Sequence, residues 1–524
     1  MNFLDENGLG RLWAQIILKL NSKVPDGGTT GQVLKKTETG TEWADASFKP
    51  AGKSYLTFSS PNSFTLKVND TTKHWDGTLE YFSSNRTWTT WDGTTTLSAV
   101  ADDGEYVLYL RGTGNTVITG NNESYRWVLT GSDISCTGNI ENLLDHATVT
   151  AGNHPTMANY CYGNMFNGCT SLTQAPALPA TTLASSCYSS MFQGCISLTQ
   201  APALPATTLA VNCYRSMFYG CISLTQPSAL PATTLADYCY EGMFSGCTSL
   251  TQAPALPATT LAGKCYCDMF SGCTSLTQAP ALPATTLAIS CYEGMFSGCT
   301  ALTQAPALSA TTLEESCYQL MFEGCTVLTH VPSLPAATLA MFCYLGMFSN
   351  CTSLKLSSTQ TGEYTVAYRI PTTGTGTTRA GSLDNMFANT GGTFTGTPEI
   401  DTTYYLSSDN MIVRETEIAT LNGYVGSMID AATPKSVSAT LTTSGWAQSG
   451  DRYSQTVNVT GVTASTPVVL VDVALSGTDL DADAAALEAW GIVSANNVAQ
   501  GAGTLTFYAL SVPSVNIPVN VGVC

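Results

Sequence analysis

Apolar and polar positions along this chain follow a long period before they follow a short one. Met-Phe recurs at residues 165, 191, 217, 243, 269, 295, 321 and 347, each 26 residues after the last. So strict a period means one structural unit stacked on itself. Within a unit, Cys187, Tyr188, Met191, Phe192 and Cys195 hardly change between copies and stand at i, i+1, i+4, i+5 and i+8. That spacing predicts the buried stripe of an α-helix. Residues 185, 186, 189, 190 and 193 read Ser, Ser, Ser, Ser, Gln, whereas 315, 316, 319, 320 and 323 read Glu, Ser, Gln, Leu, Glu. These free positions form the predicted solvent face. Pro205 and Thr207-Thr208 suit a turn and N-cap, and Gly194 suits a left-handed C-cap that the eighth copy replaces with Asn350. Residues Ser197 to Ala201 alternate and end at Pro202, which predicts a short strand pairing in parallel with its neighbours. Each unit therefore reads as a strand plus a helix of about three turns.

The flanks carry other patterns. Leu9, Trp13, Ile16 and Leu20 follow 4-3-4 spacing over residues 7–21, a short coiled-coil seam or an amphipathic helix docked on its own chain. Residues 51–135 hold short β-branched and aromatic runs, Tyr55–Phe58, Thr78–Phe82 and Glu105–Leu110, with Asp76-Gly77 and Asp92-Gly93 as turns. They predict an all-β sandwich. Of its tryptophans 75, 88, 91 and 127, Trp91 lies by a turn and is the exposed candidate for sugar stacking; the other reading is core. Met386-Phe387 is a degraded ninth copy, expected as a cap, preceded by a loop from Pro371. Residues 434–524 predict strands at Val457–Val459 and Val468–Val473 and a helix over 478–491. Asp479, Asp481 and Asp483 lack the glycine and the bidentate Glu of a calcium loop, Trp490 standing in the latter place. The predicted fold class is multidomain. It comprises an N-terminal helix and small β module (1–50), a β-sandwich (51–135) and an α/β leucine-rich-repeat solenoid with caps (136–400). A connector (401–433) and a C-terminal mixed α/β module (434–524) follow.

Composition narrows the chemistry. Only 11% of residues are charged, and the net charge of −18 argues against nucleic acid or an anionic membrane surface as partner. No stretch approaches the ~18 apolar residues of a membrane helix, and Met1-Asn2-Phe3-Leu4-Asp5-Glu6 has no basic n-region, so Sec export is not expected. Most of the 19 cysteines are repeat positions paired eight apart. Eight helical residues span about 12 Å, too far for a disulfide, so free buried thiols are expected. There is no Cys-x-x-Cys pair, and Cys265 with Cys267 is an isolated deviation. Histidines 74, 146, 154 and 330 sit in no zinc or triad pattern, and no phosphate loop appears. A scattered carboxylate pair for glycoside hydrolysis stays open. No catalytic residue, cofactor or metal site is predicted.

Three segments resemble known families. Met243-Phe-Ser-Gly-Cys-Thr-Ser-Leu-Thr-Gln-Ala-Pro looks like the BspA-type leucine-rich repeats of bacterial surface antigens, over about residues 136–400. The resemblance implies a curved α/β solenoid that binds proteins or glycans. The N-terminal GGTTGQVL…TEWAD stretch, with the Leu4–Trp13 segment before it, is similar to the start of phage tail-fibre proteins and implies a trimeric attachment end. GTLTFYALSVPSVNIPVNVGV resembles C-terminal modules of phage fibre or baseplate proteins. Together they imply a virion protein, extracellular after lysis, a homotrimer held to tail or baseplate proteins by its N-terminus. It would recognise a host-surface glycan or protein. The candidate ligand residues are the exposed strand ladder Thr199, Gln200, Thr251, Gln252, Thr277 and Gln278, with Trp91 and with His330, which replaces the Gln of its copy. The alternatives are a BspA-like bacterial adhesin and a virion glycan depolymerase.

Overall fold

The computed structural model describes residues 32–37, 40–45, 48–50, 55–70, 73–371 and 381–413, and then 435–441, 444, 447–449, 452–458, 468–473, 493–501, 504–509 and 517–523. The chain divides into two compact units, Met1–Arg414 and Glu415–Cys524. The structure is mostly β, in several sheets, and among the described residues the single α-helix is Asn142–Thr150. The helices predicted at 7–21 and 478–491, and most of the loop after Pro371, lie outside the described residues.

In the first unit, strand Glu105–Thr113 is the centre of an antiparallel sheet, flanked by Leu56–Ser60 and Thr78–Phe82. Trp127–Thr130, Thr65–Val68 and Leu97–Ser98 form a second sheet. Inward-facing Phe58, Leu79, Leu108 and Leu110 of one sheet share a core with Leu66, Leu97 and Trp127 of the other. Period-2 alternation in these short runs puts one residue in two inside, which is why their strands were legible.

The 26-residue units depart from expectation. Residues 184–196 and their counterparts form no α-helix, so the predicted helix of each repeat is corrected to a ribbon of tight turns. Alternate amides do different work. Those of Ser186, Tyr188, Ser190, Phe192 and Gly194 donate to carbonyls of the next unit, at 2.8–3.0 Å. Those of Cys187, Ser189, Met191, Gln193 and Cys195 close turns onto the carbonyl three residues back. An α-helix would use all interior amides internally; here half of them bind the neighbour. The geometry needs a left-handed residue every fourth position, and Ser186, Ser190 and Gly194 have φ of 57°, 53° and 69°. Gly and, to a lesser degree, Asn bear that conformation at low cost, whereas the serines carry about 1–2 kcal/mol each.

The invariant side chains turn inward, all at 0–2% exposure, in ladders along the stack. Eight tyrosines from Tyr162 to Tyr344 stack with centroids 5.6–5.9 Å apart and planes within 7° of parallel. Phenylalanines from Phe166 to Phe387 form a second column, Phe348 and the degraded copy's Phe387 stacking at 5.7 Å. From the second unit on, the second cysteine points its thiol at a phenylalanine carbonyl of the preceding unit, Cys247 to Phe218 at 3.1 Å and Cys273 to Phe244 at 3.1 Å, while Cys169 of the first unit points at the Trp127 carbonyl. All eighteen described cysteines are free and buried. Cysteine suits this place as a small apolar group with a weak donor.

A further regularity appears at residues 216, 242, 268, 294, 320 and 346, one left-handed position in successive units, reading Ser, Gly, Asp, Gly, Leu, Gly. Each side chain leans on the glycine of the next unit: Ser216 Oγ lies 3.2 Å from where a Cβ of Gly242 would stand, and Asp268 and Leu320 crowd Gly294 and Gly346 more closely.

Both ends of the stack are anchored. Strand Ile134–Thr137 pairs in parallel with Leu172–Gln174 of the first unit, Trp127 donates to the Met165 carbonyl at 2.8 Å, and Phe58 and Trp127 sit edge-on to Phe166. At the far end Lys355–Ser357, Tyr364–Arg369 and Thr403–Ser407 form a sheet, and Met411–Val413 pairs in parallel with His330–Pro332. These last strands fall in the segment expected as a connector. In the second unit, Lys435–Leu441 and Val468–Val473 flank Ile517–Val523, and Arg452–Asn458 pairs with Thr504–Ala509.

Candidate functional site: a periodic uncharged face

Outside the turn ribbon each unit carries thirteen residues, Ser197 to Leu209, that recur unchanged at 171–183, 249–261 and 275–287. Burial explains four of them: Leu198, Ala201, Leu204 and Ala206 are core. Thr199, Gln200, Thr207 and Thr208 are exposed, as are Thr251, Gln252, Thr277 and Gln278. The turn ribbon behaves oppositely, since residues 189, 215, 241, 267, 293, 319 and 345 read Ser, Arg, Glu, Cys, Glu, Gln, Leu. These positions, mostly half-buried with Arg215 exposed and Cys267 buried, diverge freely, yet exposed threonine and glutamine on the other surface do not.

Parallel bridging aligns these residues in columns. Gln200 bridges Gln226, and Gln252, Gln278, Gln304 and His330 run on in register. A second column joins Thr182, Thr208, Thr234, Thr260 and Thr286. Part of the first column is structural: the hydroxyls of Thr225 and Thr277 donate to the carbonyls of Thr199 and Thr251 at 3.3 and 3.5 Å. The glutamine amides and the Thr207-Thr208 type doublets lie outside that bonding. The N-cap expected at the doublets is corrected, since no helix follows them.

No charged residue occurs in the thirteen-residue stretch of any copy from 171 to 313. Charge lies on the ribbon, where Arg215 meets Glu241 at 2.6 Å and Lys264 meets Glu293 at 3.7 Å. Burial raises the Asp268 carboxyl, and Glu293 and Glu241 add to that rise. Two open grooves follow the Pro-Ala-Leu-Pro segments. One, of about 1010 Å³, runs between Thr137-Gly138, Pro176 and Pro202; the other, of about 410 Å³, lies between Pro227, Pro231 and Pro254. Their walls are uncharged.

Trp91 does not belong here, and its reading as an exposed platform is corrected. It is 1% exposed, wedged between Trp75 and Trp127 at 5.2 and 5.6 Å, and its Nε1 donates to the Thr95 carbonyl. The Asp92 turn closes over it, with Thr94 and Thr95 donating to the Asp92 carboxylate and holding its pKa down to about 2. His330 is half-buried at the end of the glutamine column, its Nδ1 2.9 Å from the Thr329 hydroxyl. One feature had no sequence signal: Glu141, 1% exposed, meets Nδ1 of His154 at 2.8 Å beside the lone helix.

The thiols are chemically quiet. Burial pushes those of Cys221, Cys273 and Cys325 up to about 12 and that of Cys247 well above the ordinary value. Among the described residues no cluster of three or more His, Cys, Asp or Glu side chains is arranged to hold a metal, and no helix is long and apolar enough to cross a membrane. Comparison with known proteins gives no family model, no curated protein and no solved structure that matches this chain.

Proposed function

We propose that this protein is a binding and structural component of a phage tail, a tail fibre or receptor-binding protein, which reads the bacterial surface. The stacked units act as a rigid leucine-rich-repeat-like solenoid in which a turn ribbon takes the place of the helix. Its work is recognition, not catalysis. The N-terminal segment holds tail or baseplate proteins, the working form is a homotrimer, and the site of action is the virion outside the cell. The ligand is a glycan or protein of the host envelope.

One observation carries the reading. Exposed Thr and Gln columns stay fixed from unit to unit while the mostly half-buried ribbon positions vary, and the threonine-to-carbonyl bonds account for only part of that constancy. Repetition of one contact along a rigid scaffold multiplies weak interactions into useful avidity. The test is binding of the fluorescent full chain to a panel of bacterial strains. Gln252→Trp with Gln278→Trp is expected to abolish attachment, whereas Glu315→Gln on the ribbon leaves it intact. Attachment to no strain, or equal attachment by all three proteins, overturns the proposal. A monomeric mass in solution overturns the fibre form of it.

A further inference from the structure

Resting on that reading, we propose that the ligand of the periodic face is an electrically neutral, linear polysaccharide lying along the stack, one sugar unit per coil. Three observations combine to this. First, the face is chargeless over six successive units, while the ribbon bears Asp237, Glu241, Glu293, Glu314, Glu315 and Glu323 and the whole chain carries −18. An acidic polymer would be repelled on approach and would find no cation to repay desolvation of its carboxylates. Uncharged hydroxyls meet amide and hydroxyl partners here instead.

Second, the chemistry repeats with the coil. Parallel bridging sets the step between successive Gln and Thr groups at about 4.8 Å, and the buried aromatic columns behind them step by 5.5–5.9 Å. Identical groups repeating roughly every 5 Å suit a ligand of a similar interval, and a pyranose with its linking oxygen is about that long. A protein ligand presents different side chains to successive coils and would favour divergence between them, as the ribbon has diverged. Third, the Pro-Ala-Leu-Pro grooves are open and not closed pockets. They accept the interior of a chain, and their proline faces suit the C–H faces of sugar rings.

Each coil then adds one weak contact. A net hydrogen bond of about 0.5–1.5 kcal/mol corresponds to roughly twofold to tenfold in affinity. The experiment is affinity electrophoresis and calorimetry of the full chain with neutral linear polysaccharides (mannan, galactan, β-glucan) and acidic ones (alginate, polygalacturonate), and with size-fractionated oligomers of any that bind. The expected result is retardation by at least one neutral polymer. Affinity should rise severalfold per added sugar and level off when the oligomer spans the repeats, and Gln252→Glu with Gln278→Glu should weaken it at least tenfold at an unchanged melting temperature. Binding to acidic polymers alone, or affinity independent of oligomer length, overturns the inference. Attachment to cells that persists when every neutral polymer fails also overturns it, and leaves the proposed function standing; loss of attachment as well removes that reading too.

Discussion

Replacing Gly294 by alanine tests the alternation of large and absent side chains along the ribbon. Gly294 has φ of +60°, and a Cβ there would fall within the envelope of the Asp268 carboxylate from the preceding unit. Two costs follow. A left-handed alanine costs about 1–2 kcal/mol relative to glycine, and the steric conflict adds about 0.5–1.5 kcal/mol, the cost of driving the exposed Asp268 side chain off its rotamer. Gly220, with φ of +69° and nothing within 4 Å of its Cβ position, carries only the first cost. Gly294→Ala should therefore destabilise by ~1.5–3.5 kcal/mol and Gly220→Ala by ~1–2 kcal/mol. Asp268→Gly in the Gly294→Ala background should recover the difference, a coupling of about 0.5–1.5 kcal/mol in a double-mutant cycle from urea unfolding. Equal losses in the two alanine variants, or additivity of Asp268→Gly with Gly294→Ala, would show that the neighbouring units do not interlock this way.

Two further outcomes follow from the buried columns. Cys221 is raised from 9.0 to about 12 and Tyr188 lies well above its usual 10.0, both by burial, so the unfolded chain releases these protons first. Stability is thus fully present below pH 9 and falls as pH rises from there toward 12, by about 1.4 kcal/mol per pH unit for each such group. Circular dichroism and tyrosinate absorbance should change together on alkaline titration; tyrosinate forming near pH 10 with intact ellipticity would refute the burial. Phe244→Ala removes a fully buried ring stacked at 5.6 and 5.8 Å between Phe218 and Phe270, and should cost ~3–5 kcal/mol. An unchanged melting curve would sink the inward-facing column.

The repeat, its buried set and its free thiols were legible because a stacked unit must show the same inner residues at the same interval. The local conformation was not. At about 100° per residue, positions i, i+4 and i+8 drift only slowly round a helix, so nine residues cannot separate a period of 3.6 from one of 4.0. The distinguishing signal lay on the other residues: Asn164 and Gly168, Gly242 and Gly246, or Gly294 and Gly298, supply left-handed formers four places apart. Strands Thr78–Phe82 and Val468–Val473 fell where predicted, since β-branched alternation bounded by turns has few competing readings. Trp91 was misplaced because proximity to a turn says nothing about which way a side chain points. That Thr199 and Gln200 face outward was legible in their polarity, but the strand predicted over Ser197 to Ala201 is reduced to isolated parallel bridges such as Gln200 to Gln226 and Gln252 to Gln278, because Pro202, Pro254 and their counterparts interrupt the pairing.

Near-identical units bring a hazard of their own, since a chain slipped by one whole turn of the stack would recover almost every contact. What forbids the slip is the variable surface. Arg215 finds Glu241 and Lys264 finds Glu293 only in the native alignment, Asp268 needs a glycine above it, and the first and last units meet partners, Trp127 and Tyr368, that no inner unit offers. The irregular residues thus act as an address code, telling otherwise interchangeable segments which neighbour is theirs.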